Sequence, residues 1–225
     1  MIKPSLKHPW RICATSVLFT LTAGCSALNP SAVEQPAFYS LDNVRTETRA
    51  TTPRSATSAL PITAPTLIVN PPRAASGFSS QRIVYVREAH QLEYYAHSEW
   101  VDSPARMISP LIVAAIGNSG SFGAAVLTPS AANGDLRLDT EIVRLQHDLS
   151  SKPSGVRFTL RATMVDNVTR KVLARNEFDE TIASTSEDPY GGVIAANRAV
   201  QVVLEQLVRF CTETAAHWQP ASAQN

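Results

Sequence analysis

From residue 156 to 164 apolar and polar side chains alternate without a break. Val156, Phe158, Leu160, Ala162 and Met164 fall on one parity, with Arg157, Thr159, Arg161 and Thr163 between them. Successive side chains of a strand point to opposite faces, so this pattern predicts a half-buried strand. DLRLDTEIV, 135–143, repeats it with Leu136, Leu138 and Ile142. LSSKPSG, 149–155, joins the two as a turn. A second turn at Asp166-Asn167 leads to KVLARNEFDET, and the three strands predict an antiparallel meander.

Earlier, TLIVN (66–70) ends at Pro71-Pro72, and RIVYV (82–86) and LEYYAHSEW (92–100) flank a polar EAHQ. The pair reads as a hairpin. Ser103-Pro104 is a helix start, Ser as N-cap and Pro in the first turn. Met107, Leu111, Ile112 and Ala115 give that helix an apolar stripe to about Ile116, where Gly117 stops it. GNSGSFG then turns into a strand, AAVLT. The chain closes on a helix from about Pro189 to His217. Its Val193, Ala196, Val200, Val203, Leu207 and Phe210 recur every three or four residues and suit packing across a sheet. The expectation is an α+β domain: a two-layer sandwich of mainly antiparallel sheet, one amphipathic helix after the first hairpin, and a long C-terminal helix.

The N-terminus follows another logic. Lys3, Lys7 and Arg11 precede an apolar run, Ile12 to Leu21, and then small residues. That is the layout of a signal peptide. About 20 apolar residues are needed to span a bilayer, and this run is half that. Leu21-Thr22-Ala23-Gly24-Cys25 resembles a bacterial lipobox, with Thr22 where Leu is usual. The resemblance implies cleavage before Cys25 and acylation of that residue. Ser26 follows, where an Asp would favour the inner membrane, so the expected destination is the outer membrane, facing the periplasm. Several acyl chains on one residue hold far more firmly than one.

The predicted organisation is therefore a signal segment at 1–24, a lipidated tether and loop at 25–64, a domain at 65–218, and a tail at 219–225. Residues 26–36 can reach roughly 35–40 Å when extended. AFYSLD, 37–42, is a short strand that pairs only if the sheet offers a free edge. Residues 43–64 are rich in Thr, Ser, Ala and Pro and read as a long loop.

Cleavage removes three of the 20 Lys and Arg and no acid, leaving 17 basic against 19 acidic side chains. That balance gives no electrostatic footprint for nucleic acid. Cys211 would be the one thiol left beside Cys25, in an apolar helical pattern that makes it a packing residue. No Cys/His spacing suits zinc, and no cofactor is implied. GNSGSFG lacks a P-loop lysine, and Ser121 replaces the final glycine of a hydrolase elbow. His90, His97, His147 and His217 read as solvated. Asp179, Glu180, Glu187 and Asp188 form an acidic group ahead of the last helix, where negative charge favours the macrodipole. Adjacent Tyr94 and Tyr95 must face opposite ways on a strand, so at most one is core and the other is a candidate partner contact. Trp100 belongs to the same aromatic segment and would staple the first turn of the following helix.

The order of these pieces (lipobox, F-Y-S-L, L-I-V-N-P-P, I-V-Y-V, L-E-Y-Y-A-H-S-E-W into S-P-A-R, then A-N-R-A-V-Q and H-W in the last helix) resembles the ABC-type transport auxiliary lipoproteins of the PqiC type. The 43–64 insertion departs from their pattern. The resemblance implies a non-enzymatic protein that works beside an MCE-domain periplasmic protein and an ABC permease and ATPase, moving lipids between membranes, with a homo-oligomer as a compatible state. It carries over Cys25 as the lipid anchor and matches Tyr94, Tyr95 and Trp100 without giving them a role. An adaptor for another envelope machine is the alternative.

Overall fold

The structure, a computed structural model, describes residues 35–42 and 64–220. The signal segment, Cys25, nearly all of the tether, most of the 43–64 loop and the last five residues lie outside the described residues.

Among the described residues nine strands and two helices follow in the order β1 (Ala37–Tyr39), β2 (Thr66–Val69), β3 (Arg73–Ala74), β4 (Arg82–Val86), β5 (Glu93–Trp100), α1 (Pro104–Gly117), β6 (Ala124–Leu127), β7 (Leu136–Asp148), β8 (Gly155–Asp166), β9 (Val172–Ala183) and α2 (Pro189–Ala216). All the strands belong to one sheet. The expected α+β class holds, and so does the meander: β7–β8 and β8–β9 are long antiparallel ladders.

The rest of the sheet is built differently. One edge of β7 carries β8. The other carries β2, β3 and β4 in succession, all parallel to it: Leu67 opposite Leu136, Arg73 opposite Glu141, and Tyr85 opposite His147. Residues 66–86 thus act as one strand broken twice. Pro71 and Pro72 make the first break, because proline has no N–H for a ladder. β6 adds to β2 in parallel. β5 folds back on β4 as the predicted hairpin. β1 finds the free edge it needed, pairing in parallel with β5 from Ala37 opposite Ser98 to Tyr39 opposite Trp100. The expectation of a mainly antiparallel sheet is right for the long ladders, but the short pairings make the sheet mixed.

Both helices pack against the inward side chains of the sheet and share one apolar core with them. α2 buries Val193, Ala196, Val200, Val203 and Leu207, as its periodicity predicts. Cys211 is also buried there, and burial pushes its thiol up to about 12. Asp188 caps the helix: its Oδ1 accepts the Gly191 N–H at 2.8 Å. In α1 the deepest stripe is Ile108, Ile112 and Ile116, rotated slightly from the expected one. Met107, Leu111 and Ala115 flank it, partly buried. Ser103 occupies the N-cap position, but its side chain makes no capping bond.

β7 does not keep one parity. Leu136, Leu138, Thr140 and Ile142 face inward; then Leu145 and His147 do. The ladder to β8 shifts register between Ile142 and Arg144. One extra residue in a strand reverses the face of everything beyond it. The bulge keeps Arg144, Gln146 and Asp148 off the core, and it sends His147 into it.

Candidate functional site

The β4–β5 hairpin places Tyr94 and Tyr95 on opposite sides, as strand geometry requires. Tyr94 is exposed, and the Arg82 guanidinium lies 5.0 Å from its ring centre. Tyr95 packs against the core and leans on Tyr85, ring centres 4.6 Å apart. Trp100 is not a surface aromatic. At 3% exposure it belongs to the core, facing Ile83, Leu145, Val156 and Ala196. A register shift in the β4–β5 pairing causes this: beyond it Ser98 and Trp100 face inward, although Tyr95 does so before it. Trp100 therefore goes deeper than a staple on α1 and presents no face to a partner.

His147 corrects the expectation of solvated histidines. It is 2% exposed. Its Nδ1 is 3.0 Å from the Tyr95 hydroxyl, and its Nε2 is 2.8 Å from Ser184 Oγ and 3.4 Å from Ser154 Oγ. Gly192, in the first turn of α2, closes the site. A Cβ there would come within 2.6 Å of Nδ1. Four pieces of chain thus meet on one imidazole: the hairpin, the turn before β8, the segment after β9, and the start of α2. Burial lowers the His147 pKa, against the weaker opposing pull of Asp148, Asp188 and Glu187. The neutral ring has one donor and one acceptor nitrogen, and hydroxyls meet both. Burial also raises Tyr95, to about 12.

A serine beside a histidine invites a nucleophilic reading, but the surroundings are those of a brace. A hydroxyl, not a carboxylate, meets the far ring nitrogen. The nearby helix N–H groups of Gly191 and Gly192 are spent on Asp188. The phase change from Ile142 to Leu145 was the sequence signal for this histidine, since extending the first parity would have buried Arg144 and Asp148.

The remaining candidates are dispersed. His90, His97 and His217 are exposed. Asp179 and Glu180 are not at the helix start but on β9. Asp179 lies against Arg157 and accepts from Thr159 Oγ1 at 2.7 Å, while Glu180 accepts from Gln206. The Arg157 hydrogen bonds hold the Asp179 carboxyl down at about 2. Arg161 bridges Glu141 and Glu177, each at 2.9 Å. Among the described residues no group of His, Cys, Asp and Glu could hold a metal ion. No helix there is long and apolar enough to cross a membrane.

A second feature had no counterpart in the sequence reading. β1 and the residues after it run beside α2 and leave a groove of about 590 Å³, walled by Phe38, Tyr39, Tyr190, Val193 and Ile194. Asn197 fastens its two sides. Its Oδ1 accepts the Asp42 N–H at 2.8 Å, and its Nδ2 donates to the Ser40 carbonyl at 3.1 Å. β1 comes from one end of the chain and α2 from the other, so no local pattern could reveal their meeting.

A mixed sheet with two helices on its inner face, a buried polar brace and an open apolar groove define an α+β domain. Residues 39–208 match the family model of the ABC-type transport auxiliary lipoprotein component, and the chain belongs to that family. Among solved structures, protein XCC0632 from Xanthomonas campestris superposes with a TM-score of 0.67 at 22% identity, over 84% of this chain and all of that one. A second, described only as an uncharacterized protein, gives 0.59 at 11% identity, over 79% of this chain and 99% of its own. These likenesses are of fold. Among curated proteins there is no match.

Proposed function

We propose that this protein is a non-catalytic auxiliary lipoprotein, held by Cys25 in the outer membrane and facing the periplasm, that serves an ABC system carrying lipids between the inner and outer membranes with an MCE-domain protein as its periplasmic partner. The observation that carries the reading is the family match over residues 39–208, joined to the lipobox-like segment ending at Cys25. The anchor fixes the domain at the membrane, the domain engages the periplasmic part of the machine, and a cytoplasmic ATPase supplies the energy. Tyr94 supports a partner contact, being exposed on the hairpin with Arg82 against its ring.

Crosslinking and pull-down of the full lipidated chain from envelopes tests this. An MCE-domain protein with its permease or ATPase is the expected catch, and Tyr94→Ala reduces it while leaving the fold intact. Recovery of cell-wall or secretion components in their place would replace lipid transport with the adaptor reading. Cys25→Ala is expected to leave the outer-membrane fraction; a variant that still sediments there removes the anchor.

A further inference from the structure

The groove between β1 and α2 is walled by side chains that water does not favour. Phe38 is 59% exposed, Tyr190 60% and Ile194 42%, and they converge with half-buried Tyr39 and buried Val193. Tyr39 and Tyr190 have ring centres 6.4 Å apart. A contiguous exposed apolar patch on a soluble domain marks a surface that something covers. Arg198, exposed at the rim, holds Gln201 Oε1 at 2.7 Å; Asp42 is exposed on the other rim.

The place where the chain enters the domain identifies the occupant. β1 begins at Ala37, so Phe38 is thirteen residues from Cys25. That segment spans at most ~45 Å when extended. An acylated Cys25 brings the lipid surface to this end of the domain before any other. Aromatic and aliphatic side chains beside an arginine are the composition of an interfacial contact: tyrosine rings favour the headgroup level, and arginine pairs with lipid phosphates. Acyl chains and a second contact reinforce each other.

We propose that the groove formed by Phe38, Tyr39, Tyr190, Val193 and Ile194 is a membrane-docking face, which lies on the lipid leaflet that holds Cys25 and sets the orientation of the domain there. This inference rests on the anchor reading. α2 then points away from the membrane: 28 residues at ~1.5 Å each make it about 42 Å long. At its far end Trp218 Nε1 donates to Asp166 Oδ2 at 2.8 Å, and exposed Val168 belongs to that same turn. Val168 is thus an apolar surface residue at the opposite end.

The test uses the full lipidated chain in vesicles of phosphatidylethanolamine and phosphatidylglycerol. A fluorophore is attached through Ile194→Cys in one sample and Val168→Cys in another; Cys25 is blocked by acylation and Cys211 is buried. Spin-labelled lipid is expected to quench most of the Ile194→Cys signal and leave the Val168→Cys signal unchanged. Adding Phe38→Glu and Tyr190→Glu is expected to abolish the quenching while the protein stays with the vesicles. Equal quenching at both sites, or none at residue 194, overturns the proposal, including the case where a protein covers the groove instead. Mass spectrometry of the N-terminal peptide separates the two readings. If Cys25 proves unmodified, the anchor reading fails on that result and the docking face falls with it; an acylated Cys25 without quenching at residue 194 overturns the face alone.

Discussion

The two halves of the sheet are held by different means. In β7, β8 and β9 each strand has a dozen residues or more, most of the buried positions are apolar, with Thr140, His147 and Thr159 among the exceptions, and α2 covers the face. In β1 to β6 the strands run from two to eight residues and meet mostly in parallel. The long half takes its stability from buried area. The short half depends on being laid along β7, with its lesser strands added outward from there. One half is a body, then, and the other a set of attachments, and disturbance is expected to spread through the first and remain local in the second.

The largest effect should come from the body. Phe158 is fully buried on β8, and Phe158→Ala is expected to cost about 3–5 kcal/mol, read as a fall in the urea midpoint that takes all probes together. If the hairpin melts first and β8 later, the halves are more independent than their shared core implies. The seam comes next. Gly192→Ala drives a methyl against the His147 ring and should cost about 1–3 kcal/mol. In a His147→Ala background the same change should cost clearly less, because the clash has gone; equal costs would mean that Gly192 matters for another reason.

His147 also makes the seam sensitive to acid. Its folded pKa lies below the ordinary value of about 6.5, so the unfolded chain takes up the proton first. Stability is therefore present above about pH 6.5 and is lost as pH falls toward the folded pKa, by at most about 1.4 kcal/mol per pH unit. His147→Gln should flatten that part of a stability-against-pH profile. Tyr95 acts at the other end: its pKa is raised, so stability is lost as pH climbs from about 10 towards 12.

The attachments should show smaller and more local effects. Asn197→Ala removes both ties to Ser40 and Asp42 and should cost about 1 kcal/mol. Amide exchange is expected to quicken in β1 and the residues after it while β8 stays protected; faster exchange in β8 would contradict the division. Smallest of all, Arg161→Ala on the solvent side of the meander should change stability by under about 1 kcal/mol, despite its two carboxylate partners.

The same division governs what the sequence disclosed. The alternation of Val156 to Met164 and the stripe of Val193 to Leu207 are repeated many times over, so strand, helix and buried face were all legible. Arg73-Ala74 is too short to have a period, and it is a strand only because β7 runs beside it. The parallel order of β2, β3, β4 and β6 is set by contacts far apart in the chain. Within the candidate site, the opposite facing of Tyr94 and Tyr95 followed from strand geometry alone. Trp100 and His147 were misplaced because register shifts invert parity, although the apolar phase slip at Leu145 recorded one of them. The groove was hidden for a simpler reason: Phe38 and Tyr190 are 152 positions apart.

The three-residue pairing of β1 bears on how the molecule takes a mechanical load. Tension arriving through Gln35 meets three paired residues first, then the asparagine latch at Ser40 and Asp42 with the buried Leu41 between them. A pull from that end would peel β1 away and lengthen the leash by several residues while the body kept its shape. The weakest strand therefore stands as a mechanical fuse, giving way so that the domain behind it does not.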